Sequence, residues 1–380
     1  MKAKFFATTP IGIEDVSAKE ILRMLGCKVD VGVGKVFFES KIEEAVYSLN
    51  LMARTLHKVF IQLCKEKFVF LDDLYRFAKN IDYTWFIREE QSFAVRSERV
   101  GVHNFTSMDV SRVVGQAVID SFLESCGKRL KVNLDEPDVE IHAFVKENDF
   151  LLGVNTTGES LHKRGYRVYE HPAALKSTLA CGMLQISGWK PEKSIIDPMC
   201  GGATIPIEAA FITRNMAPNR FRKNFAFLKL KIFEEKEFEE FRMKILENEK
   251  TGDSHIFGME KFRRHLEGGI KNAEKAQVRD SILFKLGDAT RKVDYPDTNL
   301  DFIVVNPPYG VRMIPQGSPI KLYRSFLKTL KDVASGATLV LITAASRRFK
   351  KAATDANIEI LEERKALHGQ LRTTIFKCKI

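Results

Sequence analysis

Residues 194–204 read SIIDPMCGGAT: a β-branched run that ends on Asp197 and passes through Pro198 and the pair Gly201-Gly202 into the helical pattern of Ile205–Arg214. Strand, glycine turn and helix in that order open a β-α-β unit, and the pattern recurs. HIFGM (255–259), ILFKL (282–286), DFIVV (301–305) and TLVLIT (338–343) are further short apolar runs, separated by helical segments that include Phe262–Ala276 and Leu322–Val333. Strands alternating with helices predict an α/β fold with a parallel sheet covered on both faces. Glu359–Leu367 and Arg372–Lys379, joined at Gly369, break that rhythm and predict an antiparallel pair at the sheet edge.

Upstream the pattern is mixed α+β. Met1–Thr9 reads as a strand, Ile11–Leu25 as a helix stopped by Gly26, Val29–Glu39 as strand around turns at Gly32 and Gly34, and Ile42–Leu51 as a second helix. A new unit starts near Val59. In it, SFAVRS (92–97) alternates as a strand, Ser107–Ser125 is helical, and Asp138–Lys146 with Phe150–Thr156 forms a hairpin. A chain of 380 residues calls for two or three domains. With 44% hydrophobic and 29% charged residues it has the composition of a soluble protein. It contains no apolar run of membrane-spanning length, and Glu14 and Asp15 follow the N-terminal apolar residues too soon for a signal peptide. Six scattered cysteines make no CxxC pair, so neither a zinc site nor a disulfide scaffold is expected, and a cytoplasmic location is.

The net charge of +11 is unevenly distributed. Met1–Gly165 holds 23 basic and 24 acidic residues, whereas Tyr166–Ile380 holds 37 and 25, so the excess that favours a polyanionic partner lies in the second half. Arg214, Arg220, Arg222, Lys223, Lys229 and Lys231 fall in a stretch without acids, interleaved with Phe221, Phe225 and Phe227; Arg347 and Arg348, with Lys350 and Lys351, form a second cluster. Such residues can track phosphates and stack on unpaired bases, or they can be a solvated face over a phenylalanine core.

An open α/β sheet binds ligands beyond the carboxyl ends of its strands. There the sequence places Asp197 and the loop Met199, Cys200, Gly201, Gly202, Ala203 and Thr204; then Glu260 with Lys261; then Asp288 with Ala289; and finally Asn306-Pro307-Pro308-Tyr309. Each has an ordinary structural reading as a cap, a turn or a solvated acid. Four in order at consecutive strand ends make that joint reading poor, and two prolines after an apolar strand fix a rigid turn that presents Asn306 and Tyr309.

On these residues the segment Ser194–Tyr309 resembles the class I S-adenosylmethionine-dependent methyltransferases, and NPPYG (306–310) resembles their amino-methylating branch. LDEPDVEIHAFVKENDFLLGVNTTGESLHKRGYR (134–167) with FAVRSERVGVHNFTSMDVSRVVGQAV (93–118) resembles a THUMP RNA-binding domain, HPAALKSTLACGML (171–184) the helix leading into the catalytic domain, and RNMAPNRFRKNFAF (214–227) an insert of THUMP-containing guanine methyltransferases. The resemblance is strongest to the tRNA guanosine-6 N(2)-methyltransferases. It implies a ferredoxin-like unit at 1–55, THUMP at 56–160, a linker and leading helix at 161–190 and a Rossmann-like catalytic domain at 191–380. It implies S-adenosylmethionine as cofactor, its methionine end held by residues 197–204 with Thr178, its ribose by Glu260 beside Lys261, and its adenine by Asp288 and Ala289. Asn306 and the Pro307 carbonyl would accept the hydrogens of the target amine and Tyr309 would stack on the flipped base. The implied partner is tRNA, gripped at its acceptor stem and 3′ CCA end, with no membrane or metal and with a monomer expected. The loop reads DPMCGGA where the family usually has DPxCGSG. Ribosomal RNA guanine methylation, adenine 6-amino methylation and a non-catalytic tRNA-binding adaptor remain as alternatives; cytosine 5-methylation would need a cysteine that Asn306–Arg312 lacks.

Overall fold

The computed structural model describes residues 1–251, 255–308 and 319–380. The N-terminal half contains β1 (Lys2–Thr8), α1 (Glu14–Leu25), β2 (Val29–Gly32), β3 (Lys35–Lys41), α2 (Ile42–Met52), β4 (Lys58–Lys67), α3 (Leu71–Lys79), β5 (Ser92–Val100), α4 (Ser107–Cys126), β6 (Lys131–Val132), β7 (Val139–Lys146) and β8 (Asp149–Asn155). Their strands form one eight-stranded sheet in the order β2-β3-β1-β4-β8-β7-β5-β6. β4 joins its two parts, pairing antiparallel with β1 on one side and with β8 on the other. Helix α4 shows how locally the chain specifies its ends. Thr106 and Asp109 exchange side-chain and backbone hydrogen bonds at its start, and Gly127 closes it with a φ of 74°.

The C-terminal half follows with α5 (Ser177–Ser187), β9 (Ile195–Asp197), α6 (Thr204–Thr213), α7 (Glu235–Leu246), β10 (Ile256–Glu260), α8 (Arg263–Lys275), β11 (Leu283–Leu286), β12 (Phe302–Val305), α9 (Pro319–Val333), β13 (Thr338–Thr343), α10 (Ser346–Asp355), β14 (Glu359–His368) and β15 (Leu371–Lys379). The sheet order is β11-β10-β9-β12-β13-β15-β14, with β11 to β13 parallel and the last two strands antiparallel. The sheet is therefore mixed, as the Gly369 hairpin predicts. The chain direction of winding reverses between β9 and β12, which opens a crevice at their carboxyl ends. The leading helix is shorter than the resemblance implies: α5 begins at Ser177, and residues 171–176 run outside it.

Two arrangements lock the halves together. The insert between α6 and α7 sends Phe225, Phe227, Phe233 and Phe238 into the same core as α2, where Tyr47 lies 5.4–5.7 Å from three of these rings. The second is polar. Arg164, fully buried, donates to the carbonyls of Ala53 (3.4 Å), Arg54 (2.7 Å) and Leu161 (2.9 Å), to Asn219 Oδ1 (3.0 Å) and to Glu208 of α6 (3.3 Å). Burial alone would weaken its charge, but the Glu208 carboxylate holds its pKa above the ordinary arginine value. Breaking such a pair strands the remaining ion. Arg164→Met is therefore expected to cost about 3–5 kcal/mol in denaturant unfolding. Arg324→Ala, at the half-exposed pair with Asp355, should cost less than about 1 kcal/mol.

Candidate active site

The crevice beyond β9, β10, β11 and β12 holds a cavity of about 190 Å³ that opens to solvent. Asp197, Met199, Cys200, Gly201, Gly202 and Thr204 line it from one side, Glu260, Lys261, Asp288 and Ala289 from another, and Asn306 with Pro308 from a third. Residues as far apart in sequence as Asp197 and Pro308 thus meet because they follow the carboxyl ends of neighbouring strands.

The loop after β9 is held in shape by the acids around it. Asp197 Oδ1 accepts from the Met199 N–H at 3.1 Å, and Glu260 accepts from the N–H groups of Gly201 (3.0 Å) and Phe262 (2.9 Å). Gly201 adopts a φ of 50°, and a Cβ there would sit 3.3 Å from the His171 ring, so the turn suits glycine on both counts. Ala203 takes a left-handed φ of 61° as the residue before α6, where the family's usual sequence has glycine. Burial, aided by the Glu260 charge, pushes the Asp197 carboxyl well above its ordinary pKa. The same burial, with both acids nearby, raises the Cys200 thiol and leaves it an inert wall rather than a nucleophile. Asp288 behaves oppositely. Burial would raise it, but Lys261 Nζ at 2.7 Å and the Thr290 N–H and hydroxyl at 2.9 and 2.7 Å hold it below the usual carboxylate range. Two buried acids with lone pairs to spare suit a ligand rich in hydroxyl and ammonium donors, and one of positive charge.

Asn306 sits at the end of β12 with its amide direction fixed. Its Nδ2 donates to the Ala173 carbonyl at 3.2 Å, which can only accept, so Oδ1 must face the other way. That oxygen is buried and has no hydrogen-bond partner among the described residues. A buried acceptor left unmet costs about 1–3 kcal/mol, a cost that a donor entering the cavity would remove. Pro307 is buried and does not line the cavity, whereas Pro308 does. Tyr309 lies outside the described residues.

Several expected residues are placed elsewhere. Thr178 does not line the cavity; it is fully buried in α5, and its hydroxyl pairs with His57 Nε2 at 3.0 Å, so its proposed reach to the cofactor is corrected. Three arginines expected on RNA are engaged within the chain. Arg214 donates to Gln277 O and Asp280, Arg220 pairs with Glu249, and Arg222 donates to the carbonyls of Thr157, Glu159 and Asn224. Phe225 and Phe227 are core, not stacking surfaces. Lys223, Arg347 and Arg348 are exposed. Conversely, the strand-end reading missed His171, Ala173 and Ala174, which line the cavity from the segment ahead of α5, and Phe262 and His265 at the start of α8. Burial and the neighbouring His265 lower the His171 pKa to about 4, so its ring is neutral. The one available signal was Pro172, favoured at the second position of a β-turn, and here the Ala174 N–H donates to the His171 carbonyl at 2.9 Å.

A family model described as RMKL-like, methyltransferase domain, matches residues 164–374. The chain belongs to the RMKL-like methyltransferases. Ahead of that match, a THUMP domain model covers residues 69–155 and an RlmL ferredoxin-like domain model covers residues 4–60. Two relatives of this RMKL-like methyltransferase are named tRNA (guanine(6)-N2)-methyltransferase. That of Archaeoglobus fulgidus is 44% identical over 98% of this chain and 91% of its own, and that of Methanocaldococcus jannaschii is 39% identical over 98% of both. Ribosomal RNA large subunit methyltransferase K/L of Aliivibrio fischeri is 32% identical over 88% of this chain but only 48% of its own length. Among solved structures, SMU.472 in complex with SAH superposes with a TM-score of 0.87, is 25% identical, and covers 99% of this chain and 97% of that one.

The raised Asp197 pKa gives a signed expectation for the ligand-free methyltransferase. A folded-state pKa above the unfolded value means that stability is lost as the pH rises through the folded pKa. Asp197→Asn should therefore melt higher than the parent at neutral pH. The advantage should vanish below the ordinary aspartate pKa, where both proteins are uncharged at this position. Thermal melts across pH check this, and equal melting temperatures at neutral pH would contradict it.

Proposed function

We propose that this methyltransferase moves a methyl group from S-adenosylmethionine to the exocyclic 2-amino group of a guanosine in tRNA, at position 6 of the acceptor stem. Asn306 lines the crevice, and its buried Oδ1, without a hydrogen-bond partner among the described residues, is the observation that carries the chemistry. The cofactor fits the donors and acceptors present: Asp197 and the loop 199–204 for the methionine end, Glu260 for the ribose hydroxyls, and Asp288 with Ala289 for the adenine. When bound, it supplies an electrophilic methyl group on a sulfonium. A nucleobase amine is a poor nucleophile because its lone pair is delocalised into the ring. Asn306 Oδ1 would accept one of its hydrogens, helping to hold the nitrogen in line and favouring its pyramidal form; Pro307 does not line the cavity and is not assigned the second hydrogen. Asn306 is neutral and cannot serve as a strong base, so the surplus proton goes to water.

An RNA substrate is supported by the THUMP match at 69–155 and by the names of the archaeal relatives, which align along nearly their whole length. The ribosomal alternative is less favoured because this chain spans only about half of that relative. With Arg214, Arg220 and Arg222 engaged internally, the exposed Lys223, Arg347 and Arg348 are the better candidates for phosphate contacts, while the N-terminal half takes the acceptor end. Selection would then rest on distance from the 3′ end more than on local sequence.

Incubation with unmodified tRNA and labelled cofactor, followed by nucleoside analysis and fragment mapping, should yield a 2-amino-methylated guanosine in the acceptor stem, and little product from a tRNA lacking its CCA end. Label in adenosine would refute the base assignment. Glu260→Ala or Asp288→Ala should weaken cofactor binding by about 1–3 kcal/mol in calorimetry. Asn306→Ala should lose most turnover at nearly unchanged cofactor affinity, since its contacts are made to the reacting amine.

A further inference from the structure

The segment that leaves the N-terminal half, residues 166–176, crosses the mouth of the crevice before entering α5. What holds it there is one face of α8. Gly268, Gly269 and Asn272 are three and four residues apart, so they project from the same side of that helix. The Tyr169 ring packs on Gly268 so closely that a Cβ there would lie 2.3 Å from it, and the Gly201 carbonyl packs on Gly269, where a Cβ would lie 2.8 Å away. One helix face thus carries both the crossing segment and the loop after β9. Asn272, buried beneath them, ties the two together with its whole amide. Its Oδ1 accepts from the N–H groups of Val168 (2.9 Å) and Tyr169 (2.8 Å), and its Nδ2 donates to the carbonyls of Tyr169 and Gly202, both at 3.0 Å.

Four residues beyond Tyr169 lies Ala173, whose carbonyl receives the Asn306 amide. The short span between them is stiff. Pro172 fixes one φ, the Ala173 N–H donates to His171 Nδ1 at 3.2 Å, and Arg167 bridges the Leu175 carbonyl and the Thr204 hydroxyl at 3.0 and 3.1 Å. Displacement of the anchor at Tyr169 therefore has few soft torsions in which to dissipate before it reaches the carbonyl that aims Asn306.

We propose that Asn272 is a positioning residue for methyl transfer: by fastening residues 168–169 to the loop after β9, it holds the Ala173 carbonyl where Asn306 Oδ1 is turned toward the substrate amine. This rests on the reading of Asn306 as the amine's acceptor. Asn272 does not line the cavity, so its effect is indirect: through Ala173 it reaches Asn306, and through the Gly202 carbonyl it reaches the loop after β9, which the cofactor affinity of each variant reports separately.

The test is a double-mutant cycle on single-turnover rates of the full chain, at saturating S-adenosylmethionine and tRNA, with melting temperature and cofactor affinity measured for each variant. Asn272→Ala should slow transfer by about 10- to 100-fold, the scale of an ångström-level misplacement, while the KM for tRNA stays within about twofold. Asn272→Asp keeps the two acceptor contacts and loses the two donor contacts, and it should fall between parent and Asn272→Ala; it also serves if the alanine variant folds poorly. In an Asn306→Asp background the donor to Ala173 is gone, so Asn272→Ala should slow the remaining reaction by less than about threefold. Equal fold-losses in the two backgrounds would overturn the proposal, as would a near-normal rate for Asn306→Asp alone, since the Ala173 contact would then be dispensable. A near-normal rate for Asn306→Ala would instead remove the reading of Asn306 on which the proposal rests.

Discussion

Arg164 is the tie on which the architecture depends. Five acceptors from four parts of the chain converge on one buried guanidinium: the end of α2 at Ala53 and Arg54, the linker at Leu161, the insert at Asn219, and α6 at Glu208. A planar cation with donors in a fixed fork suits this task, and a lysine in its place would satisfy fewer of these groups. The desolvation cost of Arg164 is met only if all these parts arrive together. The pair is thus better understood as specifying how the halves dock than as adding net stability. The Tyr47 aromatic cluster supplies the apolar counterpart, covering the far side of the same junction.

The catalytic sheet was legible because its central strands β9, β10, β12 and β13 are mostly buried and so read as short apolar runs, and because glycines and prolines mark several carboxyl ends. That is also why Asp197, Glu260, Asp288 and Asn306 could be singled out: the chemistry of an open α/β sheet lies at positions that the strand pattern itself locates. Periodicity carries no comparable signal for the irregular segment 166–176, which turns at Pro172 and Ala173. His171, Ala173 and Asn272 act through one ring, one carbonyl and one amide whose partners lie about 30 to 130 positions away.

The basic insert shows a different limit. Arginines and phenylalanines alternating without acids fit a nucleic-acid surface and a docking seam equally well, because both need cations at carbonyl-rich edges and rings beside them. The seam claims most of them here: Phe225 and Phe227 enter the α2 core, Arg220 pairs with Glu249, and Arg222 donates to the Thr157, Glu159 and Asn224 carbonyls. Composition alone could not separate the two readings, since Glu249, Thr157 and Glu159, which take up these charges, lie outside the stretch.

The shared β4 strand has a consequence for how such a protein could change its target. One sheet runs from β2 to β6, with an irregularity at Gln62–Cys64 where β4 pairs with β8, and so ties the two parts of the N-terminal half together. On the proposed reading, the span between a gripped RNA end and the base presented to Asn306 is set by the segment between β8 and α5, which also carries Arg164 and the Ala173 carbonyl. Moving the target along an RNA stem would then mean rebuilding a heavily anchored connection rather than a surface loop.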